Sequence, residues 1–301
     1  IVNNIISQSY NGFLLWKDLS FDKRKDILLK IGQKLKQDVE THAKMISLEM
    51  GKPIKESRTE ILKCVWVIEY YAKNASEFLK PETIKSNYLD SYIQYDPLGI
   101  ILGVMPWNFP YWQVFRFIAP SLMAGNTCVL KHASNVSGCA LLIEGLINNV
   151  SEYKSIFKTL IISSSQVENV IKNPHIKAVT FTGSEYAGSE VAMRAGKEIK
   201  KTVLELGGSD CFVVLDDADI DTAAKTAILA RFLNSGQSCI AAKRFLVHEN
   251  IYDDFINKVQ KHIKKLNMGD PLLEQTDIGP LAKTKFAEEL DILVQSSIRK
   301  G

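Results

Sequence analysis

The chain has 301 residues, 46% of them hydrophobic and 24% charged, which excludes a disordered, collagen-like or disulfide-stapled polypeptide and leaves room for about two domains. Lys+Arg 37 against Asp+Glu 34 gives a formal net charge of +3, too balanced for a dedicated nucleic-acid binder. No apolar run reaches the ~18 residues that span a bilayer, and residues 1–10 carry no signal-like segment. The chain opens on Ile1 rather than Met, as expected of a start inside a longer polypeptide.

The predicted elements begin with helix. Residues 21–80 show 3.6-type spacing, first over Ile27, Leu28, Ile31 and Leu35, then over Ile61, Val65, Ile68 and Tyr71 after Gly51-Lys52-Pro53. Ser91 to Asp96 alternates like a strand with no obvious local partner, and such an edge invites pairing with another chain. Gly99 to Val104 is a short apolar run bounded by Gly and Pro, as a buried parallel strand should be. Strands at Asn126–Leu130, Phe157–Ile162, Ala178–Phe181 and Lys200–Glu205 then alternate with helices at Ser137–Asn149, Gln166–Lys172 and Glu185–Ala195. This rhythm implies a parallel sheet covered by helices on both faces. After Gly207-Gly208 it restarts, with strands Cys211–Leu215 and Arg244–His248, helices Ile220–Leu233 and Tyr252–Leu266, and a last helix at Ala282–Ser297. The doubled glycine is the expected domain boundary.

Four segments carry chemistry. Cys239 follows Asn234-Ser235-Gly236-Gln237-Ser238, and a thiolate in such a turn is a strong nucleophile. The plain alternative is a small buried hydrophobe, the role expected of Cys64, Cys128, Cys139 and Cys211. No pair of cysteines has C-x-x-C spacing, so neither a metal site nor a disulfide framework is expected, and a reducing, cytoplasmic setting is. Glu205, flanked by leucines at a strand end, suits a general base if burial raises its pKa, or is a carboxylate reaching solvent. Thr182-Gly183-Ser184 runs from a strand into a helix and suits a phosphate, or makes Ser184 a simple helix cap. Asn108, between Pro106 and Pro110, suits an oxyanion donor, or lies in an ordinary proline turn.

Taken in order, Leu48-Glu49-Met50-Gly51-Lys52-Pro53, Pro106-Trp107-Asn108-Phe109-Pro110, Ala124-Gly125-Asn126-Thr127, Phe181-Thr182-Gly183-Ser184, Leu204-Glu205-Leu206-Gly207-Gly208 and Gly236-Gln237-Ser238-Cys239 resemble the aldehyde dehydrogenase superfamily. The resemblance covers essentially the whole chain. It implies an α/β fold with a Rossmann-type parallel sheet for the cofactor and an α/β catalytic domain incomplete at its C-terminus. The expected divisions are 1–90 as the helical part of the cofactor domain, 91–98 as an oligomerisation arm strand, 99–206 as the sheet and 207–301 as the catalytic domain.

The resemblance also implies roles. Cys239 attacks the aldehyde carbonyl, Asn108 and the Cys239 N–H hold the oxyanion, and Glu205 activates the water that hydrolyses the thioester. Trp107, Lys131, Gly183 and Ser184 meet the cofactor. Where NAD-type members carry Lys-Pro-x-Glu, this chain has Lys131-His132-Ala133-Ser134. A carboxylate there repels a 2′-phosphate and Ser134 does not, so NADP is expected, with NAD or dual use open. The segment with the second cofactor glutamate and the final oligomerisation strand are missing before Gly301, so the chain reads as a fragment of a homo-oligomer. With helix starting near Pro110, Trp112 and Arg116 share a face. Together with Lys131-His132-Ala133-Ser134 they resemble the succinate-semialdehyde dehydrogenase branch, with Arg116 meeting the substrate carboxylate. The alternatives are an Arg116 paired with a protein carboxylate, neutral aliphatic or aromatic aldehydes, a cysteine hydrolase without redox cofactor, and an inactive relative.

Overall fold

A computed structural model describes residues 1–300, and the chain divides into two compact units, Ile1–His42 with Arg58–Leu206, and Ala43–Ser57 with Gly207–Gly301. The helix reading of 21–80 leaves Ala43–Ser57 in the N-terminal part, whereas by contacts this stretch groups with the residues after 207.

The first unit starts with α1 (Val2–Trp16), which the sequence reading does not anticipate, and α2 (Phe21–Gln37). Ser20 caps α2 by accepting the Lys23 N–H, and Ile27, Leu28, Ile31 and Leu35 form its buried face. Part of α3 (Val39–Met50) and most of α4 (Ile54–Phe78) follow, so the long helical stretch is three helices. The strand expected at Ser91–Asp96 is shorter and does have a local partner: β1 (Glu82–Thr83) pairs antiparallel with β2 (Tyr92–Ile93). That corrects the expectation of an unpaired edge and removes it as a reason for self-association.

The remaining elements of this unit are β3 (Ile100–Met105), α5 (Trp112–Met123), β4 (Thr127–His132), α6 (Ser137–Val150), β5 (Phe157–Thr159), α7 (Val167–Lys172), β6 (Ile176–Thr182), α8 (Glu185–Lys197) and β7 (Lys201–Glu205). The five strands form one parallel sheet in the order β5-β4-β3-β6-β7, as the alternating rhythm implies. Ile100, Leu102, Val129, Val179 and Phe181 are its buried centre, joined by Ile6 of α1. A side chain at Gly103 would strike the Phe117 ring at 2.5 Å, so this glycine lets α5 close on β3. The chain leaves β3 in one direction and returns at β6 to build in the other, which makes the β3/β6 boundary the switch point. Ligands bind such sheets in the crevice beyond the carboxyl ends of the strands at that point.

The second unit contains β8 (Cys211–Val214), α9 (Ile220–Phe232), β9 (Arg244–Val247), α10 (Tyr252–Ile263) and α11 (Thr284–Lys300). β8 and β9 run parallel, and Val214, Ala224, Ala227, Ile251 and Phe255 form the core beneath them. Asp219 caps α9 by accepting the N–H groups of Asp221 and Thr222. Among the described residues no helix is long and apolar enough to cross a membrane.

Candidate active site

The carboxyl ends of β3 and β6 carry Trp107, Asn108, Gly183 and Ser184 of the residues singled out in the sequence. Beyond β3, Trp107 and Asn108 lie half-buried in the turn that leads into α5. The start of α5 is held by a residue the sequence reading missed. The buried Glu60 of α4 accepts the N–H groups of Tyr111 at 2.8 Å and Trp112 at 2.9 Å, and Tyr111 Oη meets His42 Nδ1 at 2.7 Å. A carboxylate on the first free N–H groups of a helix is favourable by charge and by hydrogen bonding. The signal in the sequence is weak, a Glu at helical spacing before Cys64.

Beyond β6, a side chain at Gly183 would come within 2.5 Å of the Phe181 ring, so glycine is needed there. Ser184 caps α8, its Oγ accepting the Ala187 N–H at 3.3 Å. The cap uses a lone pair and leaves the hydroxyl hydrogen to donate, so cap and phosphate ligand are compatible. A cavity of about 410 Å³ opens beside these residues. It is lined by Lys131, Ser164, Phe181, Ala187, Val191 and Arg194, among others. Glu168 and Glu190 also reach it, but Glu190 is paired with Arg194 at 2.5 Å and Glu168 with both Arg194 at 3.1 Å and Lys172 at 2.7 Å, so two cations balance the two carboxylates. Apolar walls for a base, hydroxyls for a ribose and a cation for phosphate are the donor set a nicotinamide dinucleotide requires, and the residues present fit it. Ser134 is exposed, in the short 3-10 turn Ser134–Val136 just after β4.

Glu205, at the carboxyl end of β7, takes the second of its two expected settings, a carboxylate reaching solvent. Its side chain is 54% exposed and pairs with Arg116 Nη1 at 3.6 Å. Arg116 also donates to Gln113 Oε1 at 2.8 Å and Thr182 Oγ1 at 3.3 Å. Arg116 thus has a protein carboxylate beside it, the general-base candidate itself. Both line a second cavity of about 390 Å³ with Met105, Phe117 and Val203. Trp112, on the same helix, lies under the Lys63 ammonium at 4.0 Å from its ring centroid.

In the second unit, Cys239 occupies a half-exposed turn. The segment before it is left-handed at Asn234 (φ 57°), Ser235 (φ 54°) and Gly236 (φ 78°). For the two non-glycine residues this costs about 1–2 kcal/mol each. Named contacts hold it: Asn234 N–H donates to Glu56 Oε2 at 2.8 Å, Gly279 N–H to Ser235 Oγ at 3.1 Å, and Ala282 N–H to Gln237 Oε1 at 3.0 Å. Lys243 Nζ donates to the Cys239 carbonyl at 3.1 Å and to that of Gly208. Burial pushes the Glu56 carboxyl above its ordinary value, against the opposing pull of the Asn234 N–H and Lys52.

Because the folded pKa of Glu56 is raised, the folded state holds its proton to higher pH than the unfolded chain does. Stability from this group is therefore greatest below the unfolded value and is lost as pH rises through the folded one. Thermal melts at a series of pH values should show wild type losing ground against Glu56→Gln as pH rises above the ordinary carboxylate range. A constant difference across that range would remove Glu56 as the cause.

Comparison with known proteins adds four findings. The model of the aldehyde dehydrogenase family matches residues 1–301. The chain is 45% identical over 304 residues to succinate-semialdehyde dehydrogenase (NADP+) of Mycobacterium avium strain 104, covering all of this chain and 64% of that one. Likewise it is 44% identical over 303 residues to succinate-semialdehyde dehydrogenase (NADP+) 1 of Mycobacterium tuberculosis strain H37Rv, covering all of this chain and 66% of that one. The crystal structure of succinic semialdehyde dehydrogenase from Streptococcus pyogenes in complex with NADP+ superposes with a TM-score of 0.95 at 34% identity, over 99% of this chain and 66% of that one. The chain thus spans 64% and 66% of the two curated relatives.

Proposed function

This chain belongs to the aldehyde dehydrogenase family, and from that premise we propose that the protein oxidises succinate semialdehyde to succinate with NADP as the preferred cofactor. The observation that carries the reading is the setting of Cys239. Cys64, Cys128 and Cys139 are buried, and burial pushes the Cys128 thiol far up. Cys211 is exposed on a regular strand. Cys239 alone combines access with a left-handed, side-chain-braced approach, the setting that suits a nucleophile.

The chemistry follows residue by residue. Cys239 Sγ adds to the carbonyl carbon, and the π pair moves to oxygen as an alkoxide. The Asn108 amide and the Cys239 N–H donate to that alkoxide. Lys131, Ser184 and the cavity walls at α7 and α8 would hold the dinucleotide, which supplies the acceptor for the hydride of that carbon. The oxidised carbon is then a thioester on Cys239. Glu205 takes a proton from water, whose oxygen adds to the thioester and expels the Cys239 thiolate, leaving a carboxylate product. Arg116 binds the far carboxylate of the substrate.

The assay is growth of reduced nicotinamide absorbance on mixing the complete natural polypeptide with succinate semialdehyde and NADP. No reduction with that or any other aldehyde would overturn the reading. The neutral aldehydes remain a second reading for one reason, that Arg116 already lies 3.6 Å from Glu205.

The cofactor preference rests on Ser134 at an exposed position after Lys131. Ser134→Glu should move the NADP/NAD efficiency ratio toward NAD by about ten- to hundredfold, the scale of one charged phosphate contact. An unchanged ratio would detach the preference from this residue.

A further inference from the structure

His132 ends β4, next to Lys131, and is only 5% exposed. Its Nε2 lies 2.9 Å from the Pro110 carbonyl oxygen. A carbonyl can only accept, so Nε2 carries the hydrogen. Nδ1 accepts from the Ala133 N–H at 3.1 Å. The same N–H reaches the Met105 carbonyl at 3.0 Å, which brings that oxygen to 3.2 Å from Nδ1. The neutral Nε2–H ring satisfies this whole set, with the Ala133 hydrogen shared between two acceptors.

Met105 and Pro110 bound the turn that contains Trp107 and Asn108. The ring therefore holds the Pro110 end of that turn to the end of β4, while the Met105 end is held there by the Ala133 backbone N–H. The far side of the turn is held separately, through Glu60 on the N–H groups of Tyr111 and Trp112. At Met105, Pro110 and Ala133 alike, the ring meets backbone groups.

We propose that His132 is a positioning residue for Asn108, clamping the turn so that its amide is aligned for the alkoxide before the alkoxide forms. The proposal rests on the reading that Asn108 stabilises that alkoxide. A donor that must be aligned beforehand contributes to the rate more than to ground-state binding. Loss of the clamp therefore lowers kcat with little change in the KM for NADP.

Two variants separate positioning from mere packing. His132→Phe keeps the volume and removes the donor, whereas His132→Gln keeps an Nε2–H near the same place. In the complete natural polypeptide His132→Phe should lower kcat by about ten- to hundredfold, with the KM for NADP within about threefold, and His132→Gln should stay within about threefold of wild type on both. A His132→Gln variant as slow as His132→Phe, or a His132→Phe variant as fast as wild type, overturns the proposal. A readout independent of turnover is hydrogen exchange of the peptide spanning 106–112 in the 301-residue chain. It should accelerate in His132→Phe and not in His132→Gln, and equal exchange in all three chains overturns the clamp. Failure of the wild type to oxidise any aldehyde, with the exchange difference present, would sink the proposed function and leave the clamp standing. Should His132→Phe fail to fold, the ring nitrogens of the ¹⁵N-histidine-labelled wild type decide. An Nε2–H tautomer for His132 supports the clamp and an Nδ1–H tautomer overturns it.

Discussion

Replacing Cys239 with Ala is expected to reduce aldehyde oxidation by the complete natural polypeptide about 10⁴-fold or more, while the variant folds and melts as wild type does. The rate loss follows from the covalent role proposed for Cys239. Without Sγ there is no thioester, and the alkoxide has no carbon–sulfur bond from which to form. The stability expectation follows from position. Cys239 is half-exposed in a turn, so one missing sulfur leaves no closed cavity, unlike the same change at the fully buried Cys128 or Cys139. The turn itself is held by Glu56, Ser235 and Gln237, none of which depends on the thiol. Cys211→Ala is the control, since Cys211 is exposed but lies on β8 outside any such turn. Glu205→Gln offers the complementary signature. It should allow a first burst of reduced nicotinamide and then stall, because the thioester forms and its hydrolysis lacks a base. A Cys239→Ala protein within about tenfold of wild type would rule out the covalent route.

The parts of the fold legible in the sequence are those where one physical demand dominates. β3 and β4 are buried strands of a parallel sheet, so they appear as apolar runs closed by Gly, Pro or Asn, whereas β6 alternates Ile176, Val179 and Phe181 with more accessible residues. α1 was illegible because its buried stripe includes Ser9 and Gly12 as well as Ile6, Phe13 and Trp16. Both small residues have reasons in tertiary structure alone. Ser9 Oγ meets Thr127 Oγ1 at 3.3 Å, and a side chain at Gly12 would lie 3.0 Å from the Ser155 carbonyl oxygen. The partner of β2 was hidden for a different reason, since Glu82–Thr83 is two exposed polar residues with no alternation to read.

The candidate site divides the same way. Asn108, Gly183, Ser184, Glu205 and Cys239 stand at ends of elements, where Gly and Pro punctuate the sequence and mark them. Glu60 and His132 act through backbone groups 51 and 22 residues away, and no local pattern encodes such a contact. The exposure of Glu205 was one of two readings that the sequence left open. Flanking leucines suggest burial, yet β7 is the last strand of its sheet and Val203 and Leu204 are themselves exposed.

Arg116→Ala should raise the KM for succinate semialdehyde about ten- to hundredfold and leave that for a neutral aldehyde of similar length nearly unchanged. The argument turns on how strongly Arg116 is already committed. Its distance of 3.6 Å to Glu205 exceeds the roughly 2.7–2.9 Å of a charge-assisted hydrogen bond, and Arg116 is half-buried while Glu205 is exposed, at 33% and 54%. A pair of that kind is worth about 0–1 kcal/mol. Its hydrogen bonds to Gln113 and Thr182 run through Nη2 to neutral oxygens, so they orient the guanidinium without neutralising it. A substrate carboxylate offering two oxygens to that fork gains about 1.5–3 kcal/mol over a neutral chain end, which is the expected range of the KM change. Removing Arg116 also releases Glu205, so hydrolysis of the thioester can change for every substrate at once. The ratio between the charged and neutral aldehydes cancels that shared effect and is therefore the quantity to read. Arg116→Lys should recover part of the ratio, because an ammonium keeps the charge and loses the fork. An equal loss on both aldehydes would instead assign Arg116 to holding Glu205, and the carboxylate substrate would lose its binding partner in this chain.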